Sequence, residues 1–306
     1  MIKYFYKSIK DTDLRTLTSW KAGAWLYAET PTENELEMLV AKHKLELGHL
    51  RDALDPYEVP RLEVEDGNIY LFMRVPVQDG EHISTMPLLI VHTAEGVITI
   101  APRPIPMLTA FQTNASSLIT TQKVNFILQL FNQMLARYSG FLTSISRKVR
   151  SVSVDLHAVS DRDIIQFVTF ERVLIDFVAA LVPGRAMLNA LLSGKYVPLY
   201  EQDQDLVEDL ELSAGQIIEN ANADVQNMRN IREAYSTIMT NSLNRVIKLL
   251  TALTILIMVP TFVTSLFGMN VALPFASHPQ AFTFIIAITF ASTIFLLAIF
   301  TRKRWL

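Results

Sequence analysis

The chain has 306 residues, of which 50% are hydrophobic, and its mean hydropathy of +0.27 is higher than that of most soluble enzymes. The net charge of -3 argues against a nucleic-acid-binding protein, since such proteins usually carry a basic excess. The sequence contains no cysteine, which excludes disulfide scaffolds, thiolate zinc sites and cysteine nucleophiles. Most of the apolar surplus follows residue 240, whereas residues 1–240 are charge-rich and long enough to bury a core.

The N-terminal part of the chain predicts a small α/β domain. Met1–Asp13 lacks the apolar core of a secretory signal, so we expect the N-terminus to stay in the cytoplasm. Thr30-Pro31-Thr32 precedes acidic residues and an apolar run, which is the pattern of a helix start. We interpret residues 1–124 as a cytoplasmic domain with a small sheet of mixed direction. Short runs of aromatic and branched residues predict its strands at Ala22–Glu29, Asn68–Val77, Pro87–His92 and Gly96–Ile100, the last two joined by a turn at Ala94–Gly96.

The pattern after Val124 is helical. Residues 125–204 predict a helical cytoplasmic region, with one helix directly after Val124, one over about Asp161–Leu181 and a short one over about Arg185–Leu192. From Asp205 the chain has no proline before Pro260, which predicts one stalk helix of about 80 Å at 1.5 Å per residue. We therefore expect residues 205–267 to be one helix, soluble at its start and embedded in a membrane at its end.

Two charge-free segments predict membrane spans. Leu249–Phe267 and Ala281–Thr301 contain no charged residue, and each is close to the roughly 20 apolar residues that cross a bilayer as a helix. Pro260 lies inside the first segment, where neighbouring helices can satisfy the carbonyl that it leaves without a donor. The alternative, a pair of buried helices in a soluble core, fits charge-free runs of this length less well.

The charges that flank the two segments predict their orientation. Arg245 and Lys248 precede the first span, and residues 302–306 form a basic tail after the second, with Trp305 as an interfacial anchor. Residues 268–280 form a short loop in which His278 is the only ionisable group. We expect both termini in the cytoplasm, the loop outside, and an inner or plasma membrane location. Because two helices cannot enclose a pore, a conducting protein of this kind must assemble into a ring.

The motif Gly268-Met269-Asn270 stands at the outer end of the first span, before a short loop and the last span. In this position the chain resembles the CorA superfamily, and Leu54–Phe72 is similar to that family's cytoplasmic pattern. The resemblance implies a funnel-shaped homopentamer with a pore lined by the first span. It also implies transport of Mg²⁺, often of Co²⁺ and Ni²⁺ and in some relatives of Zn²⁺, with no organic cofactor. The residues that extend the resemblance before the motif are Asn244, Lys248, Leu250, Thr251, Met258, Thr261 and Phe267.

The chemistry of the motif suits a hydrated ion. Mg²⁺ dehydrates reluctantly, so a ring of amide oxygens that accepts hydrogen bonds from its bound waters costs less than a ring that strips them. Asn270 offers such an oxygen once per subunit, and Gly268 allows a tight turn where the helix ends. The resemblance implies that Gly268, Met269 and Asn270 form the selectivity filter. A plain helix end followed by a turn is the alternative.

Below the motif, one face of the first span carries small hydroxyl groups alternating with larger apolar groups at spacings of three and four. The resemblance implies that Leu250 and Met258 form apolar constrictions that close by dewetting, although Leu250 departs slightly from the stripe. Ordinary helix packing is the alternative, because small hydroxyl residues are also common at membrane helix interfaces. The stripe is Asn244, Ile247, Thr251, Thr254, Met258, Thr261 and Ser265, and the pore positions carried over from the family are Asn244, Ile247, Leu250, Met258, Thr261 and Asn270.

An acidic stretch between Glu201 and Glu211 is a candidate regulatory site. Hard oxygen ligands suit Mg²⁺, and alignment with the family places Asp209 at a position that senses cytoplasmic Mg²⁺. A solvated acidic helix start that complements the helix dipole explains the stretch equally well.

The outer loop departs from the family pattern. Pro274 is followed by Phe275, the segment Val271–Gln280 has no carboxylate, and Phe267 stands where tyrosine is usual. A neutral mouth concentrates cations less than an acidic one, so the identity of the ion stays open. Two alternatives remain: a Zn²⁺ or other transition-metal transporter with His278 as a ligand, and a non-conducting membrane-anchored sensor. No phosphate loop or nucleophile elbow indicates an enzyme.

Overall fold

The computed structural model of the chain describes residues 1–113, 118–153, 159–271 and 279–305. Two compact units divide it, Met1–Asn230 and Ile231–Leu306. The strands are β1 (Ile2–Tyr6), β2 (Arg15–Leu17), β3 (Trp25–Glu29), β4 (Arg61–Glu65), β5 (Asn68–Asp79), β6 (His82–His92) and β7 (Val97–Ala101). The helices are α1 (Glu33–His43), α2 (Leu47–Asp52), α3 (Pro106–Thr113), α4 (Lys123–Ser153), α5 (Asp161–Leu192), α6 (Glu201–Phe267) and α7 (Ala281–Arg302).

The strands of the first unit form one seven-stranded sheet in the order β2-β1-β3-β7-β6-β5-β4. The pairing of β3 with β7 is parallel and the other pairings are antiparallel, so the sheet has mixed direction as the sequence predicts. The sequence patterns do not predict β1, β2 and β4. These strands carry charged residues and are largely half-buried or exposed, so pairing with their neighbours stabilises them more than burial does.

Helices cover both faces of the sheet. On one face, Phe72, Leu89 and Ile98 share a buried core with residues of α1 and α2. On the other face, α4 and α5 contact β5 and β6, and the rings of Trp25 and Phe126 lie 5.2 Å apart. The sheet is therefore buried on both sides, which explains why its central strands are nearly continuous apolar runs.

Helix α1 begins where the sequence predicts a helix start. The Thr32 hydroxyl accepts a hydrogen bond from the Glu35 backbone N–H, and the Thr32 N–H donates to the Glu35 carboxylate. This capping box satisfies backbone donors that the helix leaves free at its start.

Helix α5 differs from the prediction of two helices separated near Pro183. It is one helix of 32 residues with Pro183 inside it. Proline removes one backbone hydrogen bond from a helix, but here buried residues lie on both sides of it: Leu181, Gly184, Met187, Leu188 and Leu191. Their packing compensates for the missing bond, which the local sequence does not reveal.

Helix α6 is a single helix of 67 residues that contains the predicted stalk and begins four residues earlier than predicted. In the first unit its start is fixed by the Asn125 side-chain amide, which donates to Asp203 at 3.1 Å. Further along, Glu211 accepts from Arg185 at 2.5 Å, and Arg229 donates to Glu171 at 2.7 Å. These contacts show that α4 runs parallel to this part of α6 and α5 runs antiparallel to it.

Candidate ion pathway

The described residues include two helices, α6 and α7, that are long and apolar enough to cross a membrane. In the second unit α6 presents two different faces. Ala252 is fully buried, and the partly buried residues Leu256, Val259 and Val263 lie on the same side of the helix. The stripe that the sequence singles out lies on a different side, where Ile247 and Met258 are 50% and 65% exposed. A single chain therefore leaves the stripe uncovered.

The hydroxyl groups of the stripe have a fixed orientation. Thr251, Thr254 and Thr261 each donate their hydroxyl proton to the backbone carbonyl four residues earlier, at 2.8 Å. Because the proton is used within the helix, the lone pairs of each oxygen remain free to accept hydrogen bonds from outside it. A hydrated cation presents the protons of its bound waters, so these three oxygens have the polarity that such an ion requires.

Part of the stripe lines a shallow groove of about 530 Å³ on α6. The groove brings Thr254, Met258, Thr261 and Ser265 together, as the spacing predicts. Two bulky residues of the groove are absent from the predicted pore set, although Phe262 follows Thr254 and Met258 at helical spacings of eight and four. Their apolar side chains make the groove wall more hydrophobic than the stripe suggests. These two residues are Ile257 and Phe262, which are 68% and 65% exposed.

The predicted filter motif directly follows the last residue of α6. The Gly268 N–H donates to the Thr264 carbonyl at 3.0 Å, and the Met269 N–H donates to the Leu266 carbonyl at 3.4 Å. A Cβ atom at Gly268 would lie 3.3 Å from the Thr264 carbonyl oxygen, so close backbone approach accounts for glycine here. Gly268 is not among the described glycines with positive φ, so the chain turns without the left-handed conformation.

Asn270 is exposed at the end of this turn. Among the described residues its side-chain amide makes no hydrogen bond within the chain, so it is available for a ligand. Pro274, Phe275 and His278 of the outer loop lie outside the described residues.

The acidic stretch of α6 separates into two groups. Asp203 is 7% exposed and Glu211 is paired with Arg185, so both have structural partners. Asp205, Glu208 and Asp209 are exposed on the outer side of the helix. In the described part of the chain, no three His, Cys, Asp or Glu residues are grouped so that they can hold a metal ion. A metal site that includes Asp209 therefore requires ligands from a second copy of the chain.

Comparison with known proteins gives consistent results across sequence and structure. The family described as "CorA-like Mg2+ transporter protein" matches residues 20–304. The cobalt/magnesium transport protein CorA of Methanocaldococcus jannaschii is 26% identical over 290 residues, which cover 92% of this chain and 91% of that protein.

Three solved structures share the fold. The complete structure of the CorA magnesium transporter from Methanocaldococcus jannaschii has a TM-score of 0.88 at 21% identity, covering 100% of this chain and 99% of that chain. The full-length CmaX protein gives 0.79 at 20% identity, with 99% and 97% covered. The ZntB cytoplasmic domain from Vibrio parahaemolyticus gives 0.65 at 10% identity, with 78% and 98% covered. The fold therefore consists of an α+β domain, a long helix and two C-terminal apolar helices.

Proposed function

The chain belongs to the CorA family, so it is a membrane transporter of divalent cations rather than an enzyme, and we propose that it takes up hydrated Mg²⁺. The observation that carries this proposal is the exposed stripe of α6, whose threonine oxygens are held as hydrogen-bond acceptors. The relative from Methanocaldococcus jannaschii is named for both cobalt and magnesium transport, which supports Co²⁺, and by extension Ni²⁺, as further substrates.

We infer a ring of five copies around the stripe. One chain supplies only two spans, and its exposed stripe needs symmetric copies to surround an axis. In this ring α6 lines the pore, α7 lies outside it, and the cytoplasmic domains form a funnel. Both termini face the cytoplasm in this arrangement. The proposed division of the chain is 1–124, 125–204, 205–267, 268–280, 281–301 and 302–306.

The proposed filter is a ring of Asn270 amides at the outer mouth, held in place by the turn at Gly268 and Met269. Each amide oxygen accepts a hydrogen bond from a water in the first shell of the ion, so that Mg²⁺ keeps its waters. Smaller charge density or a different shell geometry would give weaker binding at the same ring.

The proposed pore continues from the filter down the stripe. Thr261, Thr251 and Asn244 offer oxygens to the hydrated ion, whereas Met258, Leu250 and Ile247 narrow the path with apolar groups. A narrow apolar ring loses its water when the pore contracts, which stops the ion without any charged barrier. The gate of this channel therefore consists of Leu250 and Met258.

The proposed control of the gate is cytoplasmic Mg²⁺ bound at Asp209. The exposed position of Asp209 on α6 allows a neighbouring copy to complete its coordination. Since α6 continues without a break from Asp209 into the first apolar segment, binding at this residue is linked to the gate by one helix.

Uptake of Mg²⁺ into proteoliposomes that contain a Mg²⁺-sensitive dye tests the proposal. We expect Asn270→Ala to reduce uptake at least about tenfold, because the change removes the proposed ligand from every subunit. Asn132→Ala, at an exposed position on α4, is the matched control and should conduct like the unmodified protein. Size-exclusion chromatography shows whether each variant still assembles. Equal uptake by both variants would remove Asn270 from the filter.

A Zn²⁺ or other transition-metal transporter is the runner-up, because the segment Val271–Gln280 has no carboxylate and His278 is its only ionisable residue. The same vesicles with a Zn²⁺-sensitive dye distinguish the two. Zn²⁺ uptake without Mg²⁺ uptake, lost in His278→Ala, would replace the Mg²⁺ proposal.

A further inference from the structure

The second compact unit has a strong imbalance of charge. From Ala234 to Trp305 the sequence contains no aspartate or glutamate, but it contains Arg245, Lys248 and Arg302–Arg304. Glu233, at the start of the unit, is the only carboxylate side chain in its described part. The five cations therefore have almost no counter-charge within their own unit.

The packing of α6 against α7 places these cations at the same end. Thr264 and Ile286 line one apolar groove between the end of α6 and the start of α7, so the two helices are antiparallel there. The same number of residues separates Thr264 from Lys248 and Ile286 from Arg302. The antiparallel register thus brings the start of one apolar run level with the end of the other.

Burial supports this register. Ala252 is the one fully buried residue of the apolar part of α6, and Phe300 is the one buried residue among the described residues of α7. The register brings these two residues close in level, a small side chain opposite a large one. Arg245, Lys248 and Arg302–Arg304 therefore form one patch, which we call the basic patch.

The C-terminal turn holds three cations of the basic patch in place. Arg304 has a left-handed backbone with φ of 56°, and the Trp305 N–H donates to the Phe300 carbonyl at 2.9 Å. The rings of Trp305 and Phe300 are stacked 5.7 Å apart and nearly parallel. These are the features of a Schellman turn with its hydrophobic contact. Arg302, Lys303 and Arg304 are exposed on this fixed turn rather than on a free tail.

We propose that the basic patch binds the phosphate headgroups of anionic phospholipids. The patch lies at the polar ends of two membrane-spanning helices, which is the depth of the headgroups, and Trp305 is of the residue type that is enriched there. Cations in this position are attracted to anionic lipids much more than to zwitterionic ones. The inference rests on membrane insertion, which the family provides, and not on which ion is transported.

Quenching of Trp305 fluorescence by brominated lipids tests the proposal on the full-length protein. The oligomer is reconstituted in bilayers that mix plain phosphatidylcholine with either brominated phosphatidylglycerol or brominated phosphatidylcholine. The Trp305 signal is the component that disappears in Trp305→Phe, since Trp20 and Trp25 are the other two tryptophans. We expect the relative binding constant for phosphatidylglycerol to exceed that for phosphatidylcholine at least about threefold. Equal constants would overturn the proposal.

Three further measurements separate this reading from others. The preference should disappear in about 1 M salt, where the Debye length is about 3 Å, and in the triple variant Arg302→Gln/Lys303→Gln/Arg304→Gln. The control pair Arg147→Gln/Lys148→Gln, on α4, should keep it. A triple variant that assembles and keeps the preference would overturn the assignment to these residues. Inorganic phosphate that removes the preference at constant ionic strength would show a site for free anions instead. If the triple variant does not assemble, Lys303→Gln and the salt dependence of the unmodified protein decide.

Discussion

The hydroxyl protons of Thr251, Thr254 and Thr261 are all donated to carbonyls of their own helix. A threonine hydroxyl can otherwise rotate to donate or accept, and so can serve cations and anions alike. Once its proton is fixed, the group acts towards a ligand as an acceptor only. At the scale of single residues, discrimination against anions then requires no charged side chain in the proposed pore.

We expect Thr261→Val to reduce Mg²⁺ uptake by about 5- to 30-fold, because the change keeps the shape of the side chain but removes one acceptor per subunit worth about 1–2 kcal/mol. Thr261→Ser keeps the hydroxyl and should retain most of the uptake. Initial rates in dye-loaded proteoliposomes provide the measurement. If valine conducts as well as serine, the oxygen of Thr261 does not contact the hydrated ion.

At the scale of elements, helices α5 and α6 each continue through a proline. Pro183 lies among buried residues that hold α5 together, whereas Pro260 lies in an apolar segment. In both places the segment is stabilised by its surroundings and not by local preference. Local sequence therefore predicts an interruption at Pro183 that tertiary packing removes.

Replacement of Pro183 by alanine should stabilise the first compact unit by about 1–2 kcal/mol. The new N–H can complete the helix hydrogen bond that proline lacks, and this gain exceeds the added flexibility of the unfolded chain. The midpoint of thermal unfolding, followed by circular dichroism on the full-length protein in detergent, should rise. Pro198→Ala, in the connection between α5 and α6, is the control. A lower midpoint for Pro183→Ala would mean that the ring packs specifically against its neighbours.

At the scale of the whole molecule, regulation depends on groups that one chain does not contain together. Asp209 is exposed, and the described residues hold no complete metal site. A sensor built between copies responds only in the assembled ring, so assembly and control become the same event.

Asp209→Asn should weaken inhibition by internal Mg²⁺. We expect the concentration that halves the flux to rise at least about fivefold, which corresponds to the loss of a coupling of about 1 kcal/mol. Glu219→Gln, another exposed carboxylate on α6, tests whether charge alone is responsible. Fluxes measured at a series of internal Mg²⁺ concentrations give the result. Identical inhibition curves for the two variants would exclude a specific role for Asp209.

Much of this architecture can be predicted from sequence because its signals are local. The two apolar runs, the helix start at Thr32 and the central strands depend on composition and period over short windows. The edge strands β2 and β4 cannot be found in this way, since their stability comes from pairing with distant residues. Phe262 escaped the predicted pore set because an apolar residue in an apolar segment has no distinguishing signal, and only its exposed position identifies it.

The hydrogen-bonded sheet lies entirely between Ile2 and Ala101, including the parallel pairing of β3 with β7. All seven strands thus leave the ribosome well before Leu249, the first residue of the apolar run. A sheet that has already folded cannot be threaded through a translocation channel, which passes extended chains or single helices. During biosynthesis the order of the chain would therefore retain the N-terminal domain on the side of synthesis. The proposed orientation would then be determined by folding kinetics as well as by the flanking charges.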